Sequence, residues 1–157
     1  MTANKPVFVY VTYIASTPDK VFRALTDTDA TAKYWFGHAV TSDWKVGSPV
    51  EFHREGKLTL SGQVLENDPP RRLSYTFTPQ HEPHNGTETS RVVMELEQQR
   101  DQVKLTVTHD DFAPDSKLFG SISNGWPLVL SSLKSYLETN RVLRAPWYDK
   151  EKEASAS

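Results

Sequence analysis

Two side chains in this sequence could do acid–base or anion-binding chemistry: His109 and Tyr75. His109 closes the run Val103-Lys104-Leu105-Thr106-Val107-Thr108-His109, whose strict alternation puts the imidazole on the same face as Val103, Leu105 and Val107. An imidazole changes charge near neutral pH, so at a strand end it can hold a ligand carboxylate or accept a proton. No second acid, base or nucleophile is legible on that face, which favours a structural imidazole bonded to backbone. Asp110 and Asp111 follow it and are expected to point into a loop. Tyr75 alternates with Leu73 and Phe77 and brings a phenolic O–H to an otherwise apolar face. Ser, His and Asp converge in no readable triad, and with no cysteine there is no thiol nucleophile and no disulfide. No catalytic residue is assigned.

His81, Glu82, His84 and Glu88 lie together in the polar stretch Pro79 to Thr89 and superficially suggest a metal site. Their spacing fits no ligand template, and a loop without an apolar anchor would lose entropy to gather them. The loop is expected to be solvated and mobile, and no metal or other cofactor is expected. Pro69-Pro70-Arg71-Arg72 carries two cations, but the chain has 18 Lys+Arg against 20 Asp+Glu and a net charge of -2. That balance lacks the basic footprint of a nucleic-acid binder. No apolar run approaches the ~20 residues of a membrane-spanning helix. The start, MTANKPVFVY, has no signal-peptide pattern, so a soluble, cytoplasmic protein is expected.

What the sequence offers most plainly is an apolar interior rich in aromatic groups. Trp35, Phe36, Phe52, Tyr75, Phe77, Met94, Trp126 and Leu130 all fall on faces that alternation or helical period turns inward. With His109 they form the candidate lining of a ligand cavity. The competing reading is plain core packing, since interior side chains mostly fill space. Trp126 and Tyr75 stand out as ligand contacts because their N–H and O–H need partners when buried.

The elements that must position these groups follow from periodicity. Val7 to Ile14 is β-branched and aromatic and reads as a strand. Thr17-Pro18 is a helix start, with a capping hydroxyl followed by proline at the first helical position. A second short helix is expected over Asp29 to Tyr34. Strands are expected at Pro49–Arg54, Lys57–Asn67, Arg72–Thr78, Ser90–Gln98 and Gln102–His109, separated by turn residues such as Glu55-Gly56 and Asn67-Asp68-Pro69-Pro70. In Ser121 to Asn140, Ile122, Trp126, Val129, Leu130, Leu133 and Leu137 recur at steps of three and four. They form one helical stripe, with Ser131, Ser132, Lys134 and Glu138 away from it. Pro127 is expected to confine regular helix to begin near Ser123–Gly125, putting Trp126 in the first turn. Phe112, Leu118 and Phe119 are expected to cover one end of the groove.

Several local sequences carry a resemblance: Thr17-Pro18-Asp19-Lys20-Val21-Phe22-Arg23-Ala24-Leu25-Thr26, Tyr34-Trp35-Phe36, Val46-Gly47, Gly62-Gln63-Val64-Leu65-Glu66, Asp68-Pro69-Pro70-Arg71-Arg72-Leu73, Leu105-Thr106-Val107-Thr108-His109 and Gly125-Trp126. Taken in order from about Val7 to Asn140, they resemble the family named after the activator of the heat-shock-protein-ninety ATPase, within the START-like (SRPBCC) superfamily. The resemblance implies an α+β helix-grip fold. In it a curved antiparallel sheet of six to seven strands has two short helices after strand 1, and one long C-terminal helix lies across it. The chain's length fits one domain, expected over residues 1–145, and Pro146 is expected to end any helix before a frayed tail over 146–157. The family carries a glycine where this chain has Asp111, which leaves a positive φ there unsupported. For function the resemblance implies a cavity between sheet and helix that holds a small apolar or amphipathic molecule without catalysis. Two alternatives stay open: a stress-response or co-chaperone-type protein-binding domain, and a cyclase/aromatase-like enzyme using His109 and Tyr75. A monomer and a homodimer, the latter through Trp147, Tyr148 or a sheet edge, both remain possible.

Overall fold

In a computed structural model, which describes residues 5–146, the elements run β1 (Phe8–Ile14), α1 (Pro18–Thr26), α2 (Thr28–Tyr34), β2 (Ala39–Thr41), β3 (Pro49–Arg54), β4 (Lys57–Asp68), β5 (Arg72–Pro79), β6 (Ser90–Gln99), β7 (Gln102–Asp110) and α3 (Lys117–Thr139). The seven strands form one antiparallel sheet in the order β1-β7-β6-β5-β4-β3-β2. This is the expected α+β helix-grip architecture. The suggested contacts of Trp147 and Tyr148 lie outside the described residues.

Local chemistry accounts for the element boundaries. Thr17 accepts the Lys20 N–H at 3.3 Å with Pro18 behind it, and Asp27 accepts the Ala30 N–H at 2.9 Å, so each short helix begins on a side-chain cap. The β3–β4 hairpin turns on Glu55 (φ 53) and Gly56 (φ 78), the two positive angles that match the twist of the flanking strands. Asn140 ends α3 in the left-handed conformation (φ 63). Asp111 also takes a positive φ, 62, so the aspartate adopts the conformation that the resemblance would leave to glycine. Acidic side chains visit this region more readily than most.

Alternation decides the core. Leu73, Tyr75, Val92, Met94, Val103, Leu105, Val107 and His109 are all buried toward the helical layer. Ser74 departs from the expected solvated face: it is buried and donates to the Val92 carbonyl at 2.8 Å. Two irregularities bend the sheet, one between Phe52 and His53 opposite β4, the other between Val64 and Glu66 opposite β5. At the second bend β4 approaches β5 so closely that a Cβ on Gly62 would stand 1.9 Å from the Thr76 carbonyl oxygen.

The long helix corrects two expectations. It begins at Lys117, with Ser116 as its cap, and runs through Pro127, so Trp126 sits in the third turn. The cost of an interior proline is ~3 kcal/mol. Burying Leu118 and Ile122 on the extra turns contributes about 1.5–3 kcal/mol each, enough to offset it. Ser132, expected to face away from the stripe, is fully buried and accepts the Leu143 N–H at 3.1 Å, because the segment after α3 folds back over it. The C-terminal half of α3 is tied to the β1–α1 junction: Lys134 donates to the Tyr13 carbonyl at 2.6 Å, and Glu138 accepts the Ala15 N–H at 2.8 Å.

Candidate functional site

A cavity of about 360 Å³ lies between the N-terminal half of α3 and one end of the sheet. Of the nine predicted lining residues, Trp35, Phe36, Phe52, Phe77 and Trp126 stand on its wall. Aromatic contacts knit four of them together: ring centroids are 4.9 Å apart for Trp35 and Phe52, 5.3 Å for Trp35 and Trp126, and 6.2 Å for Phe77 and Trp126. Ile122, Gly125 and Val129 of α3 complete the apolar wall. Tyr75, Met94, Leu130 and His109 are core residues that do not stand on this wall, although His109 touches two residues that do, Phe77 and Trp126. All four are almost wholly buried, and burial pushes the Tyr75 hydroxyl's pKa upward.

His109 is satisfied by side chains rather than by backbone. The Trp126 indole N–H donates to its Nδ1 at 3.0 Å, and its Nε2 lies 2.6 Å from the Ser90 hydroxyl. Ser90 in turn donates to the Phe77 carbonyl at 3.3 Å. Indole nitrogen is a donor only, so Nδ1 must be bare and Nε2 must carry the proton. The chain of donors therefore runs from Trp126 through His109 and Ser90 to Phe77. Burial holds the imidazole neutral, lowering its pKa to about 3 against the opposing pull of Asp110. Ser90 is the neighbour that sequence reasoning did not find beside His109. In this tautomer its oxygen accepts a hydrogen bond from the imidazole, so the pair is wired as a structural relay, not as a nucleophile with its base.

The polar members of the wall are His38, Arg54, Thr59, His81, His84, Ser121 and Asn124. Arg54 shares the inward face of Phe52 two residues earlier. Thr59 is the unpaired residue of the irregularity on β4, where Leu60 opposes Phe52 and Leu58 opposes His53. That extra residue turns its hydroxyl into the site, where it donates to the Phe52 carbonyl at 3.1 Å and meets His38 Nδ1 at 2.9 Å. With the hydroxyl proton spent on Phe52, His38 must be the donor. Burial, with Arg54 and then His81 beside it, lowers the His38 pKa to about 4.

His81 and His84 come from the β5–β6 loop, which has the buried anchor that its sequence hides. His84 is buried and meets His81 edge-to-face at 5.6 Å, while His81 Nδ1 lies 3.3 Å from the Thr59 carbonyl. Burial and then His81 lower the His84 pKa. Glu88 accepts from the Ala113 N–H at 2.9 Å and from the Ser116 hydroxyl at 2.6 Å, fastening the loop to the start of α3. Glu88 thus serves a different task from His81 and His84, and among the described residues no group of three or more His, Cys, Asp or Glu is placed to hold a metal. Arg71 and Arg72 lie on the outer face, paired with Asp68, Glu66 and Glu95. Phe112 and Leu118 are buried beside the site, with Phe119 packed on Phe112 at 5.3 Å.

Residues 15–138 match the family described as "Activator of Hsp90 ATPase homolog 1-like protein". The chain belongs to this family. The family's fold recurs in solved structures. A protein of Mesorhizobium loti is 24% identical over 85% of this chain and 97% of its own, with a TM-score of 0.73. The Aha1 dimer of Colwellia psychrerythraea is 22% identical over 85% and 97%, at 0.70. A Plasmodium falciparum protein described as an Hsp90 activator is 20% identical over 76% and 86%, at 0.64. Among curated proteins none matches the chain in sequence. Among the described residues no helix of this family member is long and apolar enough to cross a membrane.

Proposed function

We propose that this member of the activator-homologue family binds a small apolar or amphipathic molecule in the cavity between its sheet and α3, holding it without converting it. The observation that carries this reading is the cavity itself: at about 360 Å³ it falls in the size range of small-molecule sites and pairs a mostly aromatic wall with a few convergent polar groups. Trp35, Phe36, Phe52, Phe77 and Trp126 are the proposed contacts. Gly125 supports it. A glycine inside a helix costs ~1 kcal/mol relative to alanine, yet this one lines the cavity where an added Cβ would meet nothing within 4 Å. Such a cost is intelligible where the space is kept for a guest.

The test is Gly125→Leu. The leucine fills space the wild type leaves open, so titration with a neutral aromatic amide such as naphthamide should lose its fluorescence change. The melting temperature should hold or rise. Undiminished binding by a stable Gly125→Leu protein would mean that the molecule binds elsewhere. A second reading, a protein-binding domain of co-chaperone type, draws on the family description and on one surface. On the edge strand β1, Val9, Val11 and Tyr13 are 42–55% exposed on the outer face. Stimulation of an Hsp90 ATPase, lost on Val11→Lys, would raise that reading above the first.

A further inference from the structure

We infer that the open edge of β1 docks a second copy of this chain, the two β1 strands pairing antiparallel across a two-fold axis at Tyr10. The inference is independent of the cavity and begins with the direction of backbone groups. β6 and β7 turn on Arg100 and Asp101, with Gln99 opposite Gln102. In a two-residue hairpin that closing pair exchanges both its hydrogen bonds, and alternation repeats the pattern at Glu97–Lys104, Glu95–Thr106 and Val93–Thr108. The backbone groups of Val103, Leu105, Val107 and His109 therefore point the other way, to their β1 partners Ile14, Thr12, Tyr10 and Phe8. That leaves the N–H and C=O groups of Val9, Val11 and Tyr13 on the open edge. The Tyr13 carbonyl accepts the Lys134 ammonium at 2.6 Å, as a group turned away from β7 can. Among the described residues no hydrogen bond reaches Val9 or Val11 from that side.

Proteins blunt such an edge with charge, proline, a bulge or brevity. β2, the other edge of the sheet, is three residues long. β1 has seven, with no charge, no proline and no break in its register to β7. Val7, just ahead of β1, and Val9, Val11 and Tyr13 are 53, 55, 42 and 45% exposed. Beside the last three on β7 stand Thr108, Thr106 and Lys104, so the apolar stripe stops at the first strand and its uncovered side is the edge itself. A neighbouring strand meets that need better than a second sheet stacked on the face.

The stretch about Tyr10 is complementary to its own reverse. With Tyr10 opposite Tyr10 of the second copy, Val9 meets Val11 and Val7 meets Tyr13, so the four exposed side chains cover one another. The open backbone groups meet in the same register and form about six hydrogen bonds across the axis. A slip of one residue would turn half of those groups away. Charge agrees with this register. Lys5 of one copy falls opposite Ala15 of the other, whose N–H is held by Glu138 at 2.8 Å. Ala15 and Lys134 both bind Glu138 through Oε2, which leaves Oε1 for the incoming ammonium. Within its own chain Lys5 has only an exposed contact to Asp111, at 3.9 Å, and such a pair holds it weakly.

One strand edge is a small interface, so association should be concentration-dependent, with a dissociation constant on the order of tens of micromolar. Sedimentation velocity on the full chain from about 5 to about 500 µM should show monomer passing to dimer. Over the same range, hydrogen exchange at the Val9, Val11 and Tyr13 amides should slow by about tenfold or more, while the Tyr10 and Thr12 amides, bonded to β7, are slow throughout. Val9→Pro deletes an edge N–H that makes no bond within the chain, and Val11→Lys puts a charge on the stripe. Each should move dimer formation to at least about tenfold higher concentration and leave the melting temperature of the dilute protein unchanged. Val11→Lys, which alters no backbone group, decides the matter should Val9→Pro fail to fold. A chain that stays monomeric throughout overturns the inference, as does a dimer whose Val9 and Val11 amides exchange at the monomer's rate or one undiminished in Val11→Lys. Protection of these amides only on adding an Hsp90 ATPase would give the edge to that partner and overturn it equally.

Discussion

Acidification should destabilise this protein well before its carboxylates are protonated, because of two histidines held neutral. His109 has its pKa lowered to about 3, chiefly by burial, and His38 to about 4, by burial with Arg54 and His81 beside it. In the unfolded chain both return to about 6.5. Between those limits the unfolded state binds protons the native state does not, so stability is full above the unfolded value and falls as the pH drops through it. Each unmatched proton contributes a slope of about 1.4 kcal/mol per pH unit. From about pH 7.5 to about pH 5 the two together remove on the order of 4 kcal/mol. Both native values lie below this end point, so the loss depends on the unfolded pKa rather than on how far burial pushes the folded one. His84, shifted in the same direction, adds to it. The loss is large against the 5–15 kcal/mol that typically holds a domain together. Urea titrations followed by tryptophan fluorescence at the two pH values should show the midpoint falling by about 2 M, for a slope of about 2 kcal/mol per molar urea. In His109→Gln, whose amide can still donate to Ser90, about half of the pH dependence should vanish. A midpoint that moves by less than about 0.5 M, or a His109→Gln protein with the wild-type pH slope, would refute the reasoning.

Two further perturbations test the framework around the site. Gly62→Ala places a Cβ 1.9 Å from the Thr76 carbonyl oxygen, and because that atom is sheet backbone it cannot swing aside. A loss of at least ~1–3 kcal/mol by urea titration is expected. Near-wild-type stability would show that β4 and β5 can separate at this bend. Trp126→Phe removes the indole N–H and leaves the buried His109 Nδ1 without its donor, which should cost about 1–3 kcal/mol beyond the lost ring area. Trp126→Phe combined with His109→Leu should cost less than the two single changes added together, and simple additivity would show that the hydrogen bond contributes nothing.

The sequence was most informative where one local rule decides the outcome. The cap at Thr17, the Glu55-Gly56 turn and the inward faces of β5 to β7 each depend on a few adjacent residues, and each is legible. Arg54 was equally legible, since it shares the face of Phe52 by a period of two, but as a cation it was left out of an apolar list. Thr59 was not legible at all. Its direction comes from a strand irregularity that depends on how β3 and β4 pair, and no local pattern announces it. The β5–β6 loop has no apolar residue to mark its anchor, because that anchor is a histidine. The start of α3 was misplaced because a rule for isolated helices was applied to Pro127, where tertiary burial of Leu118 and Ile122 outweighs the broken bond.

These misses are not scattered. Arg54, Thr59, His81 and His84 are polar residues that a search for an apolar pocket passes over, and they stand on the cavity wall as neighbours of His38 and of one another. The predicted polar candidates, His109 and Tyr75, sit in the core, where the Trp126–His109–Ser90–Phe77 relay ties α3 to β5, β6 and β7. Trp126 belongs to both: it lines the cavity while its N–H holds the relay. Any guest that displaces this ring must also break its bond to His109. The relay therefore fixes the Trp126 part of the aromatic wall in position.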